Sequence, residues 1–127
     1  MALEQQHSDK ETQITGYSAE GVYINNTLHH TSFILCDTLL LLDWQVKDIS
    51  DLSAETLSPL INCQPEIVLL GTGNTCHFPT ASLLAPLYDA KIKVECMNNQ
   101  AACRTYTLLS QDHRVVALAL IQQEEIT

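Results

Sequence analysis

Arginine is almost absent from this chain: it occurs only at Arg104 and Arg114, within six basic residues set against fifteen acidic ones. The formal charge of −9 repels phosphate backbones, which excludes general nucleic-acid and anionic-membrane binding. Long hydrophobic runs are also missing, and none approaches the ~18–20 apolar residues of a membrane span. The segment Met1–Gly16 is polar and has neither the basic start nor the apolar stretch of a secretory leader. There is no Cys-x-x-Cys. The five cysteines, Cys36, Cys63, Cys76, Cys96 and Cys103, are odd in number and show no close pairing in sequence, which fits reduced thiols better than a disulfide framework. Together these absences predict a soluble, cytoplasmic protein with no integral membrane segment. The nearest approach to a metal cluster, Cys76-His77 with Cys96 and Cys103, has no zinc-like spacing. Neither a metal nor a cofactor is expected.

What is present is enough for one domain. A chain of 127 residues, 46% of them hydrophobic, buries roughly 65–70% of its unfolded surface without staples. Residues 1–13 lack any period and read as a flexible N-terminal tail. Residues 14–121 form the domain, and the polar residues 122–127 a C-terminal tail.

Strands dominate the first half of the domain. Gly21–Asn25 alternates and ends in the turn pair Asn25-Asn26, with Thr31–Leu35 expected to return as the second arm of a hairpin. The apolar run Thr38–Leu42 reads as a strand covered on both faces, and Trp44 as a cover for the sheet edge or the next helix. From Ser53, a helix cap, the period becomes helical through Leu57, Leu60 and Ile61, with Pro59 making the helix short or irregular. Glu66–Leu70 is the clearest strand, and it runs directly into Gly71-Thr72-Gly73-Asn74. A helix starts near Pro79-Thr80, with Pro86 inside it, and Ile92–Met97 alternates as a strand. Asn98 or Asn99 caps a helix over Ala101–Leu109, and Arg114–Ile121 is a last buried strand. Helix–strand alternation in the second half has the rhythm of βαβ units. The fold class is therefore α/β, a single domain with a mixed central sheet, hairpin-rich before Trp44 and βαβ-like after it.

The strand end at Gly71-Thr72-Gly73 is where an α/β sheet places ligands, because glycine lets backbone N–H groups approach an anion. The dinucleotide fingerprint fails at Cys76, where a third glycine would fall, and no Gly-Lys-Ser/Thr follows. The candidate pocket comprises Gly71, Thr72, Gly73, Asn74, Cys103, Arg104 and Tyr106, since the helix carrying the last three follows the next strand. Cys103 beside Arg104 and near a helix start is the better candidate for a reactive thiol, whose pKa those neighbours would lower, against the commoner case of a buried structural cysteine. Adjacent Cys76-His77 point opposite ways on a strand. His29-His30 sit in or beside the first hairpin turn, and Ser110–His113 read as a solvated turn rather than a triad.

Certain residues also carry a resemblance. Pro65–Gly73, the Phe78-Pro79 helix start, Glu95-Cys96-Met97, Ala101–Tyr106 and Arg114-Val115, with looser matches at Gly16-Tyr17, Gly21-Val22 and Trp44, are similar to one family. It is the domain-of-unknown-function family shared by the mitochondrial respiratory complex I assembly factor three and the adipogenesis-associated MTH-type domain protein. The resemblance runs from about Ile14 to Ile121. The chain departs from the family pattern at Asn98-Asn99, where Asp-Thr is common, and at Thr107, where Asn is frequent. The resemblance implies a compact α/β fold with a mixed sheet and, from its eukaryotic relatives, action through protein contacts in complex assembly. It implies no enzymatic activity.

Three functions follow in order of preference. The first is a non-catalytic binding or assembly protein with a protein partner, because no complete catalytic constellation is present. The second is a site for a small anionic ligand at Gly71-Thr72-Gly73 and Arg104. The third is a thiol enzyme using Cys103. An apolar hairpin edge would also permit a homodimer.

Overall fold

The structure, a computed structural model, describes residues 5–6, 12–37, 39–112 and 114–123. In chain order the elements are β1 (Gln5–Gln6), β2 (Ile14–Ser18), β3 (Gly21–Ile24), β4 (Thr27–His29), β5 (Phe33–Cys36), β6 (Leu39–Leu41), a 3-10 turn (Ile49–Asp51), α1 (Ala54–Cys63), β7 (Ile67–Gly71), α2 (Ala81–Asp89), β8 (Lys93–Met97), α3 (Asn99–Ser110) and β9 (Val116–Leu120). A six-stranded sheet has the order β1-β6-β5-β9-β7-β8, and β2-β3-β4 make a separate small sheet. β7 is parallel to both β8 and β9, whereas β5 runs antiparallel to β9 and to β6. The mixed α/β sheet read from the sequence is the fold found.

Period-two alternation decides which helix covers which face. On β7 and β9, Val68, Leu70, Ala117 and Ala119 join one core with Leu57 and Leu60 of α1 and Leu84 and Leu87 of α2. Their neighbours Leu69, Val116, Leu118 and Leu120 join the opposite core with Ala102, Cys103 and Tyr106 of α3 and Val22 and Ile24 of the small sheet. Leu69, Leu70, Leu118 and Leu120 are at most 1% exposed, and burying each such side chain contributes roughly 1.5–3 kcal/mol. Both faces of the central strands are thus dry, which is why they read as continuous apolar runs.

Local chemistry sets the boundaries. Ser53 caps α1 by accepting from the Thr56 amide, while the Thr56 side chain accepts from the Ser53 amide. Gln64 adopts the left-handed conformation (φ 52°) just before Pro65, and the helix stops. α1 and α2 run through Pro59 and Pro86 but remain short, at ten and nine residues. Trp44, 4% exposed, lies against α1 and donates its indole N–H to the Thr56 carbonyl at 2.8 Å.

The N-terminal half departs from expectation. Asn25 and Asn26 (φ 49° and 70°) form a two-residue turn of the type that suits hairpins. The returning arm, however, is β4, with Ile24 opposite Thr27, and not Thr31–Leu35. Phe33–Cys36 instead enters the large sheet between β6 and β9, because all four of its side chains are buried and need cover on both faces. The edges of the small sheet are Ile14–Ser18 and Thr27–His29, while the apolar strand whose edge would permit a homodimer lies between two others in the large sheet. Within the expected N-terminal tail, Gln5 and Gln6 pair with Leu41 and Leu40. Gln122, placed by polarity in the C-terminal tail, is anchored: its amide donates to the Ser32 hydroxyl at 2.8 Å, and its side chain donates to the carbonyls of His29 and Thr31.

Candidate functional site

The direction of winding fixes where a site lies. α2 leaves β7 over one face of the sheet, and α3 leaves β8 over the other. The carboxyl ends of β7 and β8 therefore form a topological switch point, the crevice at which open α/β sheets bind ligands. Gly71-Thr72-Gly73 and Asn98-Asn99 occupy those two ends.

Hydrogen bonds close most of that crevice. The Thr72 amide donates to the Met97 carbonyl at 3.1 Å, and the Asn99 amide to the Gly73 carbonyl at 2.8 Å, extending the strand pairing past both strand ends. The Asn99 side chain accepts from the Gly73 amide at 2.9 Å and donates to the Ile121 carbonyl at 2.9 Å. The Thr72 hydroxyl donates to the Thr75 carbonyl and accepts from the His77 amide. The amides of Thr72 and Gly73, the natural anion donors of such a loop, are thus already engaged by protein acceptors.

The two glycines have different reasons to be glycine. A Cβ on Gly71 would stand 2.5 Å from both the Asn99 side-chain oxygen and a Leu120 methyl, so this glycine lets the N-terminus of α3 close on β7 and β9. Gly73 has open space around it but a φ of 111°, which side-chain-bearing residues rarely adopt.

Outside this seal lies an open cleft of about 780 Å³. One wall is the small sheet, through Tyr17–Gly21 and His30. The second comprises Lys47, Asp48 and Ile49, and the third the loop Thr72–Thr75 with His77; Asn99 and Ile121–Gln123 complete the lining. Asp48 accepts from both the amide and the hydroxyl of Ser50, and these bonds hold its carboxyl below the usual range. The lining side chains are charged or polar for the most part, unlike the apolar walls of most small-molecule pockets.

The structure divides the residues expected to share a pocket. Thr72, Gly73 and Asn74 line the cleft, with Gly71 buried directly beneath. Cys103, Arg104 and Tyr106 do not line it. The buried face of α3 is Asn99, Ala102, Cys103 and Tyr106, so Cys103 and Tyr106 belong to the core. Arg104, one position off that face, is exposed. Of the two alternatives, Cys103 is the buried structural cysteine. Burial pushes its thiol up to about 12 rather than a neighbouring cation lowering it, because the thiol points into the core while Arg104 lies on the exposed side of the helix. Burial, followed by the charge of Asp37, raises the Tyr106 hydroxyl as well.

Asn99 was legible only as an alternative helix cap; Asn98 takes that role, accepting from the Ala101 amide. The one signal for Asn99 was its place at the head of the i, i+3, i+4, i+7 series that faces inward. Lys47, Asp48 and Gln122 carried no signal, since the fold alone brings these distant loops together. His30 directly follows β4, beside the hairpin, and its ring contacts the Glu20 carbonyl at 2.9 Å. Of the polar turn Ser110–His113, His113 is outside the described residues. Among the described residues, no cluster of three or more His, Cys, Asp or Glu side chains is placed to hold a metal, and no helix is long and apolar enough to cross a membrane.

Fold and cleft together define a small α/β domain on a six-stranded mixed sheet, with a sealed strand end beneath a polar groove. The chain belongs to the family described as protein of unknown function (DUF498/DUF598), which matches residues 14–121. It is 35% identical to NADH dehydrogenase [ubiquinone] 1 alpha subcomplex assembly factor 3 of Danio rerio, over 95% of this chain and 70% of that protein. Against the Drosophila melanogaster protein of the same name it is 29% identical, over 90% of this chain and 60% of that one. It is also 28% identical to the 13 kDa major membrane protein of Francisella tularensis, over 80% of this chain and 85% of the other. The chain thus spans about two thirds of the length of these assembly factors. Among solved structures, Xanthomonas campestris XCC1710 superposes with a TM-score of 0.83 at 31% identity, covering 100% of this chain and 96% of that one. A Mth938-like domain protein from Bordetella pertussis shares the fold with a TM-score of 0.77 at 22% identity, covering 98% of this chain and 94% of that one.

Proposed function

We propose that this protein acts by binding protein partners, as a non-catalytic, assembly-type factor. The observation that carries this reading is the 35% identity to an assembly factor along 95% of the chain. Two features of the site support it. The thiol next to Arg104 is buried and held protonated, and the glycine-loop amides are spent on internal hydrogen bonds. A surface anchor is available in Phe78, which is 76% exposed and adjoins the cleft residue His77; exposed aromatic side chains are common interface anchors. A tagged protein used to capture partners from native extract of its source organism should retain a stoichiometric partner, and Phe78→Ser should weaken that retention while leaving the melting temperature unchanged. Recovery of no stoichiometric partner, under conditions that preserve weak complexes, would overturn the reading.

A second reading rests on the cleft itself, whose volume suits a small molecule. A small polar or anionic ligand would there meet Lys47 and His77 rather than Arg104. Thermal-shift screening with phosphates, nucleotides and carboxylates tests it. A stabilising compound whose effect is lost in Lys47→Ala and kept in Arg104→Ala supports the cleft; the reverse pattern supports a site on α3.

A further inference from the structure

Cys36 ends β5 and is 2% exposed, and Cys63 ends α1 and is half-buried at the margin of the same core. Both are thiols, yet their sulfur atoms stand 2.7 Å apart. Cys36 donates an S–H···S hydrogen bond to Cys63 across this short distance, and a disulfide of about 2.05 Å needs only a sub-ångström approach. The two cysteines are far apart in sequence, so no spacing rule reveals the pair; it exists because α1 packs across β5 on the sheet face where Cys36 points. The segment between them contains β6, Trp44 and the 3-10 turn, and it supplies the Lys47–Ile49 wall of the cleft.

We propose that Cys36 and Cys63 are a reversible dithiol–disulfide pair which, when oxidised by a peroxide, locks this wall of the cleft. The hydrogen bond with Cys36 and then burial push the Cys63 thiol up, so the step begins with slow loss of its proton. The thiolate of Cys63, the more accessible partner, then attacks one peroxide oxygen. The O–O bond breaks, the departing hydroxide takes up a proton to leave as water, and Cys63 becomes a sulfenic acid. The thiolate of Cys36 then attacks the Cys63 sulfur; the S–S bond forms, the S–O bond breaks, and the hydroxyl leaves as a second water with the remaining proton. Each sulfur loses one electron to oxygen, so one peroxide and two thiols give one disulfide and two waters. A small dithiol reverses the step by thiol–disulfide exchange.

The test uses the full chain with equimolar hydrogen peroxide, followed by alkylation and mass spectrometry. The expected product has lost the mass of two hydrogen atoms, carries a Cys36–Cys63 bridge, and is restored by dithiothreitol. Trypsin alone leaves Cys63 and Cys76 on one peptide, so a second digestion at glutamate, which cuts after Glu66, assigns the bridge. Oxidation should also raise the melting temperature by roughly 5–15 °C, as expected for closing a loop of this length. In Cys63→Ser both the bridge and the shift should vanish. Recovery of Cys36 and Cys63 as alkylated thiols, or their separate capture by Cys76, Cys96 or Cys103, would overturn the proposal; these readouts on the unaltered chain stand whatever the variant's stability.

Discussion

Replacing Asn99 by alanine removes the clamp between three elements. The side chain is 4% exposed and bonds to the Gly73 amide and the Ile121 carbonyl, both at 2.9 Å. Alanine leaves a donor and an acceptor without partners in a sealed strand end. Each orphaned group costs about 1–3 kcal/mol, less where water can enter. Since the Gly73 side of the clamp borders the cleft and the Ile121 side is buried, the loss should total about 2–4 kcal/mol. Against a typical stability of about 5–15 kcal/mol this is a large fraction. For a chain of this size it corresponds to a fall in melting temperature of about 4 °C per kcal/mol. Urea unfolding at pH 7 should show a lower midpoint with an unchanged slope, and the Gly73 amide resonance should move. Asn99→Asp refines the test. Its ionised carboxylate still accepts from Gly73 but meets the Ile121 carbonyl with no proton to donate. The protonated form restores that bond, so the folded state raises this carboxyl's pKa. The stabilisation is then present below about pH 4, the ordinary carboxyl range, and is lost as the pH rises above it. An Asn99→Ala variant within about 0.5 kcal/mol of wild type, inside the range of ordinary surface changes, would refute the clamp.

Gly71→Ala should cost about 1–3 kcal/mol by overpacking, because its Cβ meets Asn99 and Leu120 at 2.5 Å. Adding Asn99→Ala removes one of those two obstacles, so chemical denaturation of the double variant should show less than the sum of the single losses. Cys103 gives a pH-dependent prediction. Its thiol titrates near 9.0 when exposed and is pushed up to about 12 in the fold, so between those values the folded state holds a proton that the unfolded state has released. Stability is therefore intact below about pH 9 and declines as the pH rises towards 12; Cys103→Ala should make that decline shallower, and a decline of unchanged steepness would count against burial of the thiol. Alkylation of Cys103 at pH 8 should likewise lag behind that of Cys76, which is partly exposed.

The parts of the fold legible in the sequence are those where one local signal coincides with one physical demand. Ser53, and Asn98 or Asn99, mark helix starts because orphaned amides need nearby partners. The run Ile67–Leu70 announces a strand buried on both faces. The N-terminal half was harder because Gly21–Asn25 and Thr31–Leu35 carry equally good strand patterns, while the pattern alone does not choose between partners. That choice belongs to burial: Phe33–Cys36 has no polar face to offer solvent, whereas Thr27–His29 can serve as an edge. Registers between distant strands are settled by such long-range demands, which no short window contains.

The same distinction separates the glycine loop from the site once assembled around it. Strand, loop and helix were visible, and the loop does lie at a switch point. Its apparent meaning as an anion cradle depended on amides whose partners come from elsewhere in the chain. Met97 and Asn99 satisfy those amides, and Gly71 is glycine so that the N-terminus of α3 can close upon the strands. The glycine loop is thus a seal, and the side chains of Lys47, Asp48, His77 and Gln122 line the cleft outside it. A binding function at this end of the sheet therefore has to be sought in substitutions that spare the seal. Lys47→Ala and Phe78→Ser alter exposed side chains and should change recognition at constant stability, while Gly71→Ala and Asn99→Ala should change stability first. A protein in which the two classes gave the same phenotype would have no recognition surface separable from its fold at this site.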